Sequence, residues 1–317
     1  MAPSPATAPN PATAADEVIA PTNFHVTSIA DVCLVFPSGI KIFANVSVLR
    51  NASPVFRAMM GPHFQEGQAI INNTGSTQEI AFPEDDSEVM LTVARLLHHR
   101  ELELSDKLTA KHVYEVAVLA DKYDVCRVVR SALATLPIQR DSRKNVCLDM
   151  WYLLTAAFIV GHRDVFKKMS TELLWDCADP YIILLRASKT RGEADVWIVA
   201  LLEEKRGMLR SKMLESIIEY YSNAPEEVSR TELHGKHGDI ASSVCFEHYH
   251  SLRKNIETLQ SAMEPDSDDI DDDQFKDLES TVKTMEEQMS EGICFDCVGN
   301  YGSHTKQHDS TKPNSFF

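Results

Sequence analysis

From Val32 the chain alternates between two apolar runs and a turn. Val32-Cys33-Leu34-Val35-Phe36 and Ile40-Lys41-Ile42-Phe43 flank Pro37-Ser38-Gly39. This pattern predicts a β-hairpin. Asn45 to Arg50 reads as one or two helical turns, and Ser53-Pro54 starts another helix. There the serine hydroxyl accepts from an orphan N–H, and the proline occupies a first-turn site whose N–H would be free anyway. Val55, Phe56, Met59 and Met60 follow at helical spacing. Glu79 to Phe82 is a short strand stopped by Pro83. Val89, Val93, Leu96 and Leu97 then mark a helix capped by Asp86 or Ser87. Thr109 opens a further helix, in which Val113, Val116, Ala117, Ala120 and Tyr123 form one stripe.

Beyond Leu136-Pro137 the strand signal stops. Residues 146–160, 163–176, 180–188 and 193–222 read as helices, with Gly207 a weak point in the last. Residues 244–263 read as helical too. The fold class expected is α+β, mainly α: a small sheet flanked by helices, then an all-helical region.

Composition sets the outer limits of this picture. Residues 1–25 are mostly Ala, Pro, Thr and Ser, with too few large apolar groups to offset ordering entropy, so they read as a disordered tail. The remaining divisions are 26–137, a helical domain over 138–222, a loop and helix with Cys and His over 223–263, an acidic spacer helix over 264–291, and a C-x-x-C segment with a disordered tail over 292–317. The formal charge of −16 argues against nucleic acid and anionic membrane surfaces as partners. Residues 264–291 hold 12 acids against two lysines, which reads as a solvated linker or exposed helix. No apolar run reaches the ~18–20 residues that span a bilayer. Seven scattered cysteines imply no disulfide framework, and the N-terminus lacks a secretory or transit pattern, so a reducing compartment, cytoplasm or nucleus, is expected.

Several features in the first half agree in order and spacing with one family. Asp31-Val32 opens the first strand, followed by the Gly39 turn, Phe43, Val48-Leu49, Ser53-Pro54-Val55-Phe56 and Met59. Ala120-Asp121-Lys122-Tyr123-Asp124 comes later. Over about residues 29–136 the chain resembles a BTB/POZ domain of the fungal type, with Asn45 where that family often has His. The resemblance implies a protein-interaction module that forms homodimers through its first helix and neighbouring strands. Here that surface would be Val46, Leu49 and the segment around Ile29. The plain alternative is that these side chains are monomer core.

Phe64-Gln65-Glu66 matches the hydrophobic-x-Glu triplet that many cullin-3-binding members carry after the SPxF helix. The resemblance therefore implies an adaptor for a cullin-3 ubiquitin ligase, with Phe64 filling a pocket and Glu66 fixing orientation. The alternative is that Phe64 only covers the core beside Gly61-Pro62. No substrate-reading repeats are evident.

The last third holds the metal-type residues. Cys245-x-x-His248 and Cys294-x-x-Cys297 make two close pairs, and a tetrahedral structural zinc site needs four such ligands. His250, His304 or His308 are alternatives to His248. Free thiols remain the alternative to zinc. A redox C-x-x-C is disfavoured, because the strand–helix setting it wants is missing. Cys33, Cys126, Cys147 and Cys177 fall in apolar stretches and read as small core residues. His98-His99, at a helix end, reads as a cationic cap. No nucleophile motif, phosphate-binding loop or zinc-protease helix is present, so no enzyme is expected. Two readings stay open: a dimerising scaffold or cullin-3 adaptor, and a zinc-stabilised scaffold or transcription-associated protein without a ligase role.

Overall fold

The computed structural model describes residues 22–72, 76–100, 102, 108–133, 138–139, 146–188, 192–223, 251–254, 256–257 and 272–299. The chain forms two compact units, Met1–Arg100 and Glu101–Phe317. The division falls inside the span 26–137 that the sequence assigns to one domain. The physical reason is in the second unit, where the helix opened by Thr109 shares its core with the helices after residue 146.

Unit 1 is built on a four-stranded mixed sheet. Its strands are β1 (Asn23–His25), β2 (Val32–Val35), β3 (Lys41–Ala44) and β4 (Gln78–Ala81), in the spatial order β1-β3-β2-β4. The expected hairpin is β2–β3, antiparallel, with Val32 opposite Ala44. Gly39 takes φ +80, a conformation open to glycine, and closes the turn with its N–H on the Phe36 carbonyl. β4 runs parallel to β2, so a crossover must separate them. That crossover is α1 (Val46–Ala52), α2 (Pro54–Met59) and α3 (Gln65–Asn72). Asp86 caps α4 (Ser87–Leu97), accepting from the N–H groups of Glu88 and Val89.

Ser53 caps α2 as its sequence foretells, accepting from the Phe56 N–H at 2.9 Å. Asn45 caps α1 by accepting from Val48 at 3.2 Å. Val32, Cys33 and Leu34 are all buried, so β2 is the central strand, covered on both faces.

β1 lies inside the stretch expected to be a disordered tail. Its residues are poor strand formers alone. They are recruited by the free edge of β3, with parallel pairing from Asn23↔Lys41 to His25↔Phe43 and a His25–Phe43 ring stack at 4.4 Å.

Among the described residues, unit 2 is helical apart from a two-residue parallel ladder, β5 (Leu108–Thr109) with β6 (Ile138–Gln139), too short for any pattern to announce. Its helices are α5 (Ala110–Lys122), α6 (Cys126–Leu133), α7 (Val146–Val160), α8 (Arg163–Asp176), α9 (Tyr181–Ser188), α10 (Glu193–Asn223), α11 (Asp272–Ser290) and α12 (Phe295–Gly299). α7 is apolar nearly all round and packs against α5, α6, α8 and α9 as the centre of the unit.

The Ala-Asp-Lys-Tyr-Asp signature ends α5. Asp124 sits at φ +53, and the N–H groups of Asp124 and Val125 bond back to the carbonyls of Asp121 and Ala120. That is a Schellman termination with buried Val125 beyond it. α10 runs unbroken through Gly207, which faces open space. α11, expected to be a spacer, buries Val282 and Met285 in a cluster with Leu209, Met213, Leu252 and Ile256. Arg206, on α10, ties that helix to the turn between α8 and α9. It is 3% exposed, donates to the Asp179 carbonyl at 2.8 Å, pairs with Glu203 at 2.6 Å and stacks on Tyr181. No helix among the described residues is long and apolar enough to cross a membrane.

Candidate functional site

α3 is the part of unit 1 that the hydrophobic pattern does not foresee. The Gly61-Pro62 turn ends α2. The Phe64 carbonyl then accepts from the Gln68 N–H at 3.0 Å and starts the new helix. Gly67 seats it: a Cβ there would lie 1.7 Å from the Gly61 carbonyl oxygen, so the two backbones touch. With that side committed to contact, Phe64 and Ile71 stand out at 51% and 56% exposure. Glu66 is half-buried in the first turn, where a carboxylate also favours the helix start. Phe64 is thus about half in solvent, so covering the core beside Gly61-Pro62 accounts for only part of its surface.

Val46 and Leu49 require the opposite correction. They are 6% and 1% exposed, because α1 packs against α2 and α4 and turns its apolar side inward. They belong to the core of unit 1. Of the dimer surface expected from sequence, Ile29 alone is prominent, at 75% exposure. Its loop is pinned to α1: Asn45 Nδ2 donates to the Ile29 carbonyl at 3.3 Å, and the Val46 N–H donates to Asp31 at 2.6 Å.

His98 closes the other end of this arrangement. Its Nε2 accepts from the Asn45 N–H at 3.1 Å, so Nδ1 carries the proton and donates to the Ala94 carbonyl at 2.8 Å. Burial holds its pKa below the ordinary 6.5. The cap is a neutral imidazole, not a cation. His99 is the left-handed residue at φ +52 that ends α4.

In unit 2, residues 291–299 fold back onto α8 and α10. Gly292 takes φ +62, and a Cβ there would lie 2.4 Å from Ser170 Oγ. That hydroxyl accepts from the Ile293 N–H at 3.2 Å. Lys205 Nζ donates to the Gly292 carbonyl. Phe295 packs between Phe158 and Phe166, with 5.2 Å to each ring, and Asp296 forks onto Arg163 at 2.9 and 2.5 Å.

Beside this segment lies a cavity of about 390 Å³, whose wall includes Arg163, Lys205, Cys294 and Cys297. Desolvation draws the Lys205 ammonium down to about 8. Cys294 is half-buried and Cys297 buried. The two side chains are hydrogen-bonded to each other, and desolvation, followed by that bond, pushes the Cys297 thiol up to about 12.

The sequence-predicted zinc set is thus half placed. Cys294 and Cys297 are brought together, whereas Cys245, His248, His250, His304 and His308 lie outside the described residues. Among the described residues no group of three or more metal-type side chains converges. Of the other cysteines, Cys33 and Cys177 are buried, while Cys126 and Cys147 are half-buried. Cys147 and Cys177 are hydrogen-bonded to each other, which draws Cys147 down and pushes Cys177 up. Arg163 and Lys205 are the site residues that sequence alone misses. Both sit on ordinary amphipathic helices, and only the return of the chain at Gly292 gives them a role.

No protein-family model matches this chain, and no curated protein matches it.

Proposed function

We propose that this chain is a protein-interaction module of the BTB/POZ type, acting as a scaffold or adaptor through unit 1. The observation that carries the reading is the exposed Phe64 at the start of α3, with Ile71 two turns on and Glu66 in the first turn. A large aromatic group left in water costs free energy that docking onto another polypeptide recovers. The partner that best fits an apolar anchor beside a carboxylate, given the sequence resemblance, is cullin-3. Self-association through the Ile29 segment belongs to the same reading, with that segment held by Asn45 and by the Val46 N–H.

A pulldown of the full chain with purified cullin-3 tests the contact: wild type is retained and Glu66→Lys is lost. Retention of Glu66→Lys at the wild-type level would refute it. Light scattering tests self-association, with twice the 35.5 kDa chain mass expected.

A second reading rests on the contact between Cys294 and Cys297. Two thiols held in one helical turn are half of a structural zinc site, and Cys245 with His248, or a histidine in its place, would complete it. Elemental analysis of protein purified without chelators should find one zinc per chain. A metal-free protein with its fold intact removes this reading.

A further inference from the structure

The cavity wall in unit 2 holds chemistry that protein docking leaves unused. The pair follows a helix and not a strand, but the cavity beside it changes the sequence reading. We propose that Cys294 and Cys297 form a dithiol–disulfide exchange site for low-molecular-weight disulfides, with Cys294 attacking and Cys297 resolving. The two thiols are already in hydrogen-bond contact, three residues apart in one turn. Their burial is unequal: Cys294 is half-buried at the cavity wall, and Cys297 is 4% exposed. An entering disulfide meets Cys294 first.

Charge favours the same order. Arg163 and Lys205 line the same cavity and interact electrostatically with Cys294, so an anionic disulfide such as oxidised glutathione is drawn to that position from two sides. The segment is also held still, by Ser170 on Ile293, Lys205 on Gly292 and Arg163 on Asp296.

The reaction balances without a further oxidant. The Cys294 thiolate attacks one sulfur of R–S–S–R, the S–S bond breaks, and one RS⁻ leaves and takes a proton. Cys297 then gives up its proton to water, and its sulfur attacks Cys294 Sγ. The mixed disulfide breaks and the second RS⁻ leaves. Two protein thiols are oxidised and one small disulfide is reduced to two thiols.

The test treats reduced full-length protein, purified without chelators, with oxidised glutathione, quenches with acid, alkylates and maps peptides by mass. Wild type should lose two hydrogens across Cys294 and Cys297. Cys297→Ser should trap glutathione on Cys294, whereas Cys294→Ser should leave Cys297 unmodified. Lys205→Met should slow capture severalfold, because the anionic disulfide loses one of the two cations at the cavity wall. In wild type, limiting iodoacetamide should label Cys294 before Cys297, a readout that needs no variant. The proposal is overturned if both thiols stay alkylatable in excess oxidised glutathione, if Cys297 is captured as fast as Cys294, or if urea-unfolded protein reacts as fast as folded. Zinc that stays bound across the pair and blocks exchange also overturns it, and in that case the zinc reading stands.

Discussion

At the start of α3, Phe64 stands about half in solvent, two residues ahead of Glu66. At the start of α12, Phe295 is wedged between Phe158 and Phe166 with Asp296 forked onto Arg163. Both places offer an aromatic anchor and a carboxylate. In unit 2 the chain supplies the groove and the cation itself, so the pair becomes an internal clasp. In unit 1 the backbone contact at Gly67 fixes α3 with its apolar edge outward. An aromatic–acid pair is enclosed by the fold where the fold provides a receptor, and stays in solvent where it does not.

The largest effect should come from removing what aims α3. Gly67→Val drives a side chain into the Gly61 carbonyl and should cost about 3 kcal/mol in chemical denaturation. Partner capture should be lost as well, although Phe64 is still present. Next, Phe295→Ala should cost about 2 kcal/mol, the scale for truncating a part-buried aromatic, and should leave cullin-3 binding untouched. If it abolishes binding, the division of labour between the two pairs is wrong.

A pH experiment probes how unit 1 is closed. His98 is held below its ordinary 6.5 by burial, so the unfolded chain binds the proton more readily. Its contribution to stability is complete above pH 6.5 and is lost as pH falls through the depressed folded value. Thermal unfolding of wild type should therefore drop between neutral pH and about pH 5 by more than that of His98→Gln. Equal drops would show that the imidazole is not the neutral bridge between α4 and α1. The smallest effect belongs to the clasp's ion pair. Arg163 is largely exposed, so Arg163→Met should cost only about 0.5 kcal/mol.

Much of the fold was legible because it rests on local signals. The β2–β3 hairpin, the Ser53 and Thr109 caps and the boundaries of α7 and α8 follow from turn chemistry and periodicity. What escaped depends on distant backbone. β1 exists because β3 has a free edge, β6 because β5 lies beside it, and α3 because Gly67 can touch Gly61. At the site, the triplet Phe64-Gln65-Glu66 was readable and its exposure was not. Val46 and Leu49 show why: periodicity marks a side chain as apolar but does not say whether its partner is the same chain or another. Cys294 and Cys297 were visible as a spacing, while Lys205 and Arg163 became their neighbours only through the return of the chain onto α8 and α10.

Calorimetric titration of the full chain with the purified cullin-3 N-terminal domain bears most directly on the role of Phe64. Wild type should bind saturably, and Phe64→Ala should bind at least about tenfold more weakly, the loss of one hot-spot side chain, with unfolding stability changed by no more than about 0.5 kcal/mol. Equal affinity for the two proteins, or a Phe64→Ala chain that loses binding only because it unfolds, would contradict the account.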